Sequence, residues 1–485
     1  MIQGLLARPA FLRWLGFFGA VCCAVDAFLY GAAPYIRRNV NVVSVLREPD
    51  GVLVLLLWVV GLAALCTAWW FGRRLRVSTR WIMVTAALWS VPLLVVPPLA
   101  SRDMYANACQ GALVHAGLNP YLVGVSAQPC PWLDSVSVVW RDTPTPYGPV
   151  FLVLAGLAAA FGSQAAAIVS FRLLAVLGVV AIAACLPVLA RRVGAPADRA
   201  LWLVLCCPLV PVHLIGGGHN DALTVAFMVA GFAVLAGPGV GRETSAKSWT
   251  VLVAGGALLG LAVSIKITIG VVLPFAALLA VGGLRAAGWG GLLRRGGTVV
   301  GAALAVLVAC SFASGLGLGW LTALSGAGES VNWSSPPTAV GLAVEAAGRW
   351  FGADLQMVPA VRAVALVLLA VSLLVILWRS RDRDPLVGAG LALLAVIFFA
   401  PITQPWYLIW PLVLFAVGTA RARWLAGTIV FAMATILPEG TGVFRPLGVP
   451  MSFAMIVLIG WVLHRSVAWL RGAELVTREP AGAAP

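Results

Sequence analysis

Residues 81–104 read WIMVTAALWSVPLLVVPPLASRDM, an apolar run followed at once by a cation and a carboxylate. About 20 apolar residues in a helix cross the hydrocarbon core of a bilayer. Asp103 therefore lies where a predicted membrane helix surfaces. Charges at that depth cost free energy and are retained where they act, so this carboxylate is a candidate for an active centre. An ordinary charged helix end is the alternative.

The same apolar character extends over the whole chain. Of its 485 residues, 61% are hydrophobic and 10% are charged, and the mean hydropathy is +1.00. One globule cannot bury so much apolar surface, so we expect an all-α polytopic membrane protein with a single domain, residues 1–485. Runs of spanning length predict about fourteen transmembrane helices. They begin near residues 11, 51, 81, 166, 200, 222, 249, 268, 297, 358, 385, 404, 424 and 451.

The net charge of +15 does not indicate a nucleic-acid partner, because the cations are spread over the gaps between apolar runs. Arginine-rich gaps such as 73–80, 191–192 and 379–383 are typical of cytoplasmic loops. With these gaps inside, both termini are predicted to be cytoplasmic, in a protein that crosses the plasma membrane many times.

This topology leaves two large extracytoplasmic loops, 101–165 and 317–357. The apolar segment 148–161 is too short to span, and a crossing there would place the arginines at 191–192 outside. We therefore expect it to form an interfacial or re-entrant helix on the outer face. The first loop is rich in polar and aromatic residues, and some of its Trp and Tyr side chains are candidates for membrane-interface anchors.

Three further polar blocks fall on the same outer face. The sequence HND at 219–221 follows three glycines, which let side chains approach a ligand closely. Lys266 interrupts an apolar stretch, and QPWY at 404–407 begins a predicted span. A helix cap, a snorkelling cation and an aromatic belt are the structural alternatives for these blocks.

Several of these blocks together resemble a known family. Those in the first loop are SRDMY (101–105), QGAL (110–113), GLNPY (117–121) and WRDTPTPYGP (140–149). With HLIGGGHND at 213–221 and the helix pair around Lys266, they resemble the actinobacterial polyprenol-phosphomannose-dependent α-1,6-mannosyltransferases of the Mpt type. That resemblance implies a C-type membrane glycosyltransferase (GT-C) architecture. It also implies a polyprenyl-phosphate mannose donor, a mannan lipoglycan acceptor and an acidic base in the first outer loop.

The predicted site follows from this chemistry and from the outer-face residues. Asp103 fits the general base that removes the proton of the acceptor hydroxyl. Arg102, Arg172 and Lys266 fit the cations that hold the donor phosphate. The predicted sugar and acceptor contacts are Tyr105, Gln110, Tyr121, Trp140, Asp142, Tyr147, His219, Asn220, Asp221, Gln404 and Trp406. A single base predicts one displacement with inversion, by analogy with glycoside hydrolysis.

Other functions fit the sequence less well. No cofactor is expected, since no dinucleotide or phosphate-loop fingerprint is present, and no metal, since the four histidines lack ligand spacing. A metal site built from the carboxylate oxygens of Asp103, Asp142 and Asp221 is the alternative. A membrane transporter or flippase of lipid-linked sugars is the main alternative, and it would place polar groups near the bilayer midplane. A related transferase that uses another polyprenyl-phosphate sugar is the other.

Two of the nine cysteines differ from the rest. Cys109 and Cys130 both lie in the first outer loop, where a disulfide can persist, whereas the other seven lie in or near apolar spans. A bridge between the two would restrain the loop beside Asp103. The spacing alone leaves two separate thiols as the alternative.

Overall fold

The computed structural model describes residues 2–32, 40–128, 130–237, 246–326, 335–418 and 423–442, and these residues are helical throughout, as expected. The predicted span near residue 451 and the C-terminus lie outside them. Helices of eight or more residues in the described ranges are α1 Pro9–Tyr30, α2 Gly51–Gly72, α3 Thr79–Ser90, α4 Asp103–His115, α5 Pro149–Ala159, α6 Gln164–Arg192, α7 Ala197–Leu205, α8 Asp221–Leu235, α9 Ala246–Ile265, α10 Leu273–Val281, α11 Leu284–Gly291, α12 Gly297–Ala313, α13 Pro336–Trp350, α14 Val358–Ser380, α15 Pro385–Phe399, α16 Ile409–Val417 and α17 Arg423–Met433.

The apolar runs predict where helices begin better than they predict spans. A helical segment begins close to each of the predicted starts from residue 11 to residue 424. Within the described residues, however, six helices are long and apolar enough to cross a membrane, or seven if the bent pair of α7 and the π-helix Val210–Gly216 is one span. Other apolar helices are shorter, because several runs are broken or begin with 3₁₀ turns. The chain is a helical membrane protein, and its helices do not establish a count of fourteen spans.

Small residues let the long helices pack closely. A side chain at Gly19 of α1 would lie 2.6 Å from the Gly61 carbonyl of α2, and one at Gly260 of α9 would lie 2.5 Å from the Ala303 carbonyl of α12. In lipid the hydrophobic effect does not drive helices together, so close backbone packing is a main contribution to helix association. These glycines therefore fix the helix pairs on which the loops rest.

Residues 101–165, predicted as the first outer loop, are folded, and most of their buried apolar side chains belong to one cluster. They contain α4, three short 3₁₀ turns and α5, which occupies the segment predicted as an interfacial helix. Phe151 of α5 packs on Phe171 of α6, with ring centroids 6.1 Å apart. The amide N–H of Gly148 donates to the Ile265 carbonyl at 2.9 Å, and a Cβ there would collide with Ser264. The loop is thereby held against the end of α9. In the second predicted loop, 317–357, the described residues form a short helix, Trp320–Gly326, and α13.

A disulfide joins Cys109 of α4 to Cys130, with Cα atoms 5.5 Å apart. The other seven cysteines are free. The bridge ties α4, which begins with Asp103, to the 3₁₀ turns that follow it in the loop.

We expect an alkylation count on the unfolded, unreduced protein to give seven thiols, and nine after reduction. Replacing both Cys109 and Cys130 by Ser should lower the unfolding free energy by about 3 kcal/mol. Without the cross-link, the unfolded chain gains conformational entropy. Thermal unfolding would measure this, with Cys185→Ser as the control that leaves the loop closed. Nine thiols before reduction would contradict the bridge.

Candidate active site

A pocket beside Asp103 encloses about 1040 Å³ of empty space including its open mouth. It lies between the 101–165 segment, the break after α9 and the start of the α16 segment. Its lining combines polar and aromatic side chains with apolar ones. Its lining residues are Asp103, Ala106, Asn107, Gln110, Trp140, Pro146, Tyr147, Lys266, Ile267, Thr268, Leu324, Val396, Ile397, Ala400, Pro401, Ile402, Gln404, Tyr407 and Trp410.

Asp103 is the first residue of α4 and the only acidic side chain in the lining that the structure describes. Its side chain is 22% exposed, and its amide N–H donates to the Ser101 hydroxyl at 3.1 Å. Loss of hydration raises the pKa of the carboxyl to about 6, against the opposing effects of the Lys266 ammonium and Ser101, while Asp221 adds to the rise. A carboxylate with this pKa is ionised at neutral pH and can still take up a proton.

His219 lies next to Asp103 and outside the pocket lining. Its Nδ1 lies 3.6 Å from Oδ2 of Asp103, and its ring stacks on Trp406 at a centroid distance of 3.8 Å. Gly218 precedes it with a φ of +58°, and any side chain there would strike Met104. Glycine at this position therefore lets the His219 turn reach the start of α4.

Lys266 lies at the break between α9 and the following 3₁₀ turn and points into the pocket. Its Nζ is 2.8 Å from Oδ1 of Asp221, the first residue of α8, and the Trp410 indole N–H donates to the same oxygen at 2.6 Å. The ammonium also lies 4.3 Å from the Tyr407 ring centre and 4.9 Å from that of Trp410. A carboxylate and two aromatic faces thus hold the cation in place.

The start of α4 is clamped by a turn from the far end of the described chain. Arg102 pairs with Glu439 at 3.5 Å and donates to the Ser135 carbonyl at 3.3 Å. The Ala100 N–H donates to the Pro438 carbonyl at 2.6 Å. Ala100 has a φ of +56°, a left-handed conformation that costs about 1–2 kcal/mol in a residue with a Cβ. The clamp holds this strained backbone three residues before Asp103.

Arg172 does not lie where a phosphate contact was predicted. Its guanidinium donates to the carbonyls of Leu94, Pro97 and Gly216 at 3.0, 3.2 and 3.1 Å, and it does not line the pocket. Arg102 is outside the lining as well, because it is engaged by Glu439. Of the three predicted phosphate cations, Lys266 alone reaches the pocket.

The predicted sugar contacts divide into three groups. Gln110, Trp140, Tyr147 and Gln404 line the pocket. His219, Trp406 and Asp221 form the layer behind it, and Asn220 is buried in the same turn. The remaining three have other positions: the Tyr105 hydroxyl donates to the Ala32 carbonyl at 2.7 Å, the Tyr121 hydroxyl donates to the Tyr147 carbonyl at 2.9 Å, and exposed Asp142 bonds to Ser126.

Several residues of the site were missed from the sequence. Asn107 and Thr268 line the pocket, Trp410 lines it and bonds to Asp221, and Glu439 clamps Arg102. Asn107 lies four residues after Asp103, so helical spacing could have placed both on one face. The others carry no comparable local signal.

Comparison with known proteins agrees with the resemblance of the loop motifs. Residues 13–282 match a model described as "Alpha-(1->6)-mannopyranosyltransferase, N-terminal domain" of the MptA_B family, and residues 337–465 match the MptB C-terminal domain. No solved structure matches the chain.

Similar proteins include alpha-(1->6)-mannopyranosyltransferase A of Mycobacterium tuberculosis, which is 34% identical over 93% of this chain and 89% of its own length. A probable alpha-(1->6)-mannopyranosyltransferase of Mycolicibacterium smegmatis is 32% identical over 98% and 92%. Alpha-(1->6)-mannopyranosyltransferase B of Corynebacterium glutamicum is 27% identical over 94% and 82%. From the family match and these similarities, the chain belongs to the Mpt family of α-(1→6)-mannopyranosyltransferases.

Proposed function

We propose that this membrane protein transfers mannose from a polyprenyl-phosphate donor to an α-1,6-mannan acceptor of a cell-envelope lipoglycan. The observation that carries the proposal is the pocket, whose described lining holds one carboxylate together with polar, aromatic and apolar side chains. The names of similar proteins support the mannosyl group and the 1,6 linkage. A GT-C architecture with cytoplasmic termini and the pocket on the extracytoplasmic face completes the proposal.

The apolar part of the pocket lining suits the lipid part of the donor. It is built from the start of the 3₁₀ turn after α9, the end of α15 and a residue of the Trp320–Gly326 helix. Lys266 lines the same pocket as these residues and Asp103, and its ammonium can bind the donor phosphate by charge-assisted hydrogen bonds while it remains paired with Asp221. This apolar part of the lining consists of Ile267, Leu324, Val396, Ile397, Ala400 and Ile402.

The reaction then needs one displacement. The acceptor hydroxyl oxygen forms a bond to the anomeric carbon as the bond from that carbon to the phosphate oxygen breaks. Asp103 takes the hydroxyl proton, and polyprenyl phosphate leaves with the bonding electrons and is held by Lys266. Because the described lining offers no second carboxylate for a covalent intermediate, the anomeric configuration is inverted, so a β-linked donor gives an α-linked product.

A transporter would need polar groups around a passage at the bilayer midplane. The polar groups here instead converge on a carboxylate whose pKa suits proton transfer. Membranes supplied with radiolabelled polyprenyl-phosphate mannose and short α-1,6-mannosides should form a longer product with a new α-1,6 bond by linkage analysis. Label that stays in the lipid would oppose transfer, and faster use of another polyprenyl-phosphate sugar would change the assigned donor.

Asp103→Asn should lower the transfer rate by about 10² to 10⁴, because the amide keeps the shape of the side chain and cannot accept the proton. Initial rates with purified protein would measure this. Asp134→Asn is the matched control, since Asp134 lies in the same loop with a side chain that is 96% exposed. Turnover above about a tenth of wild type in Asp103→Asn would exclude Asp103 as the base.

The rate should also depend on pH through Asp103. A base must be ionised, and the pKa of this carboxyl is raised to about 6. We therefore expect kcat/KM to be constant at neutral pH and to fall as the pH drops through about 6, by about tenfold per unit well below it. A profile that stays flat down to pH 4.5 would show that no such group controls the reaction.

Lys266→Gln should raise the KM for the lipid donor more than the KM for the acceptor, since one charge-assisted contact to phosphate is lost. Lys266→Arg, which keeps the charge, should recover part of the donor affinity. Arg172→Gln is the contrasting variant: it removes donors to three backbone carbonyls and should lower thermal stability without a selective effect on the donor. An increase in KM confined to the acceptor would remove Lys266 from the phosphate site.

A further inference from the structure

A row of polar side chains runs along α4 away from Asp103. Asp103, Asn107 and Gln110 are spaced by four and three residues, which places them on one face of the helix. All three line the pocket. With a rise of about 1.5 Å per residue, the row is about 10 Å long, which is longer than a single hexose ring.

Two members of this row are buried, and the carboxamide oxygen of each has no hydrogen bond within the described residues. Asn107 is 2% exposed and Gln110 is 5% exposed. In the part of the chain that the structure describes, Oδ1 of Asn107 and Oε1 of Gln110 receive no hydrogen bond. Buried polar atoms are nearly always hydrogen-bonded, so two such oxygens on one pocket wall indicate groups that a ligand supplies. A carboxamide both donates and accepts, as a sugar hydroxyl does.

The surroundings of the row favour a carbohydrate over a lipid. Trp140 and Tyr147 line the same pocket, and their flat rings can pack on the apolar faces of pyranose rings. The apolar lining residues, which suit a prenyl chain, come from other elements than α4, and so does Lys266, the proposed phosphate contact. The α4 row is therefore available to the acceptor, whose hydroxyl must reach Asp103.

We infer that the α4 row is an acceptor subsite that binds two consecutive hexose residues, an inference that rests on the proposed function. Asp103 contacts the hydroxyl that attacks, Asn107 binds hydroxyls of the same terminal sugar, and Gln110 binds hydroxyls of the sugar before it. The enzyme then distinguishes acceptors by length at its own pocket wall. An acceptor with a single sugar leaves Gln110 unused.

The test compares kcat/KM for an alkyl monomannoside with that for an alkyl α-1,6-dimannoside. We expect the wild type to prefer the dimannoside. Gln110→Ala should lower kcat/KM about tenfold for the dimannoside, the effect of roughly 1.4 kcal/mol, and leave the monomannoside unchanged. Asn107→Ala should lower both by a similar factor. His115→Gln is the matched control, because His115 is exposed at the end of the same helix and does not line the pocket.

Gln110→Leu controls for a change in pocket shape, because leucine fills similar space and forms no hydrogen bonds. It should repeat the result of Gln110→Ala. Equal losses on both acceptors, or no loss on either, would overturn the inference, as would a selective rise in donor KM. Saturation-transfer NMR with the dimannoside and no donor tests the row separately: Gln110→Ala should lose contacts of the inner sugar. Binding that Gln110→Ala leaves intact overturns the subsite, whereas a wild type that binds but transfers nothing overturns the proposed function alone.

Discussion

The ion pair between Lys266 and Asp221 is the interaction on which the rest of the site depends. It joins the break after α9 to the first residue of α8, and the Trp410 indole adds α16 to the same carboxylate. All three side chains are buried, and loss of one partner of such a pair typically costs about 3–5 kcal/mol because a charge is left uncompensated. The pair therefore holds three separate segments together. The 101–165 segment joins them next to Lys266, because the Gly148 amide donates to the Ile265 carbonyl.

The groups around the pocket lie where helices are interrupted. Lys266 follows the end of α9, His219 follows a π-helix and two glycines, and Gln404 precedes a 3₁₀ turn. Irregular backbone at membrane depth is tolerated only where protein or a cavity satisfies its polar groups. Each of these three interruptions places a polar side chain in the pocket lining, as for Lys266 and Gln404, or next to Asp103, as for His219.

Helix starts and the position of Asp103 could be predicted, since both follow from apolar runs and the polar residues that end them. The role of Arg172 could not, because an arginine in an apolar helix can bind a ligand or backbone carbonyls equally well. Arg172 binds backbone because the irregular Leu94–Pro97 segment has carbonyls that need hydrogen-bond donors. Glu439 has no local signal, since its partner Arg102 is far away in sequence. Counting by length misjudges spans wherever one residue breaks a run, as Lys266 does.

The clamp between Glu439 and Arg102 has a consequence for biosynthesis. Asp103 is made early, yet the turn that holds Ala100 and Arg102 is translated only after almost every other described helix. Chains are inserted and fold from the N-terminus onward, so a nascent chain carries its carboxylate without the final support. A chain that terminates before residue 438 would thus carry Asp103 at the start of α4 without the contacts that Pro438 and Glu439 make to Ala100 and Arg102.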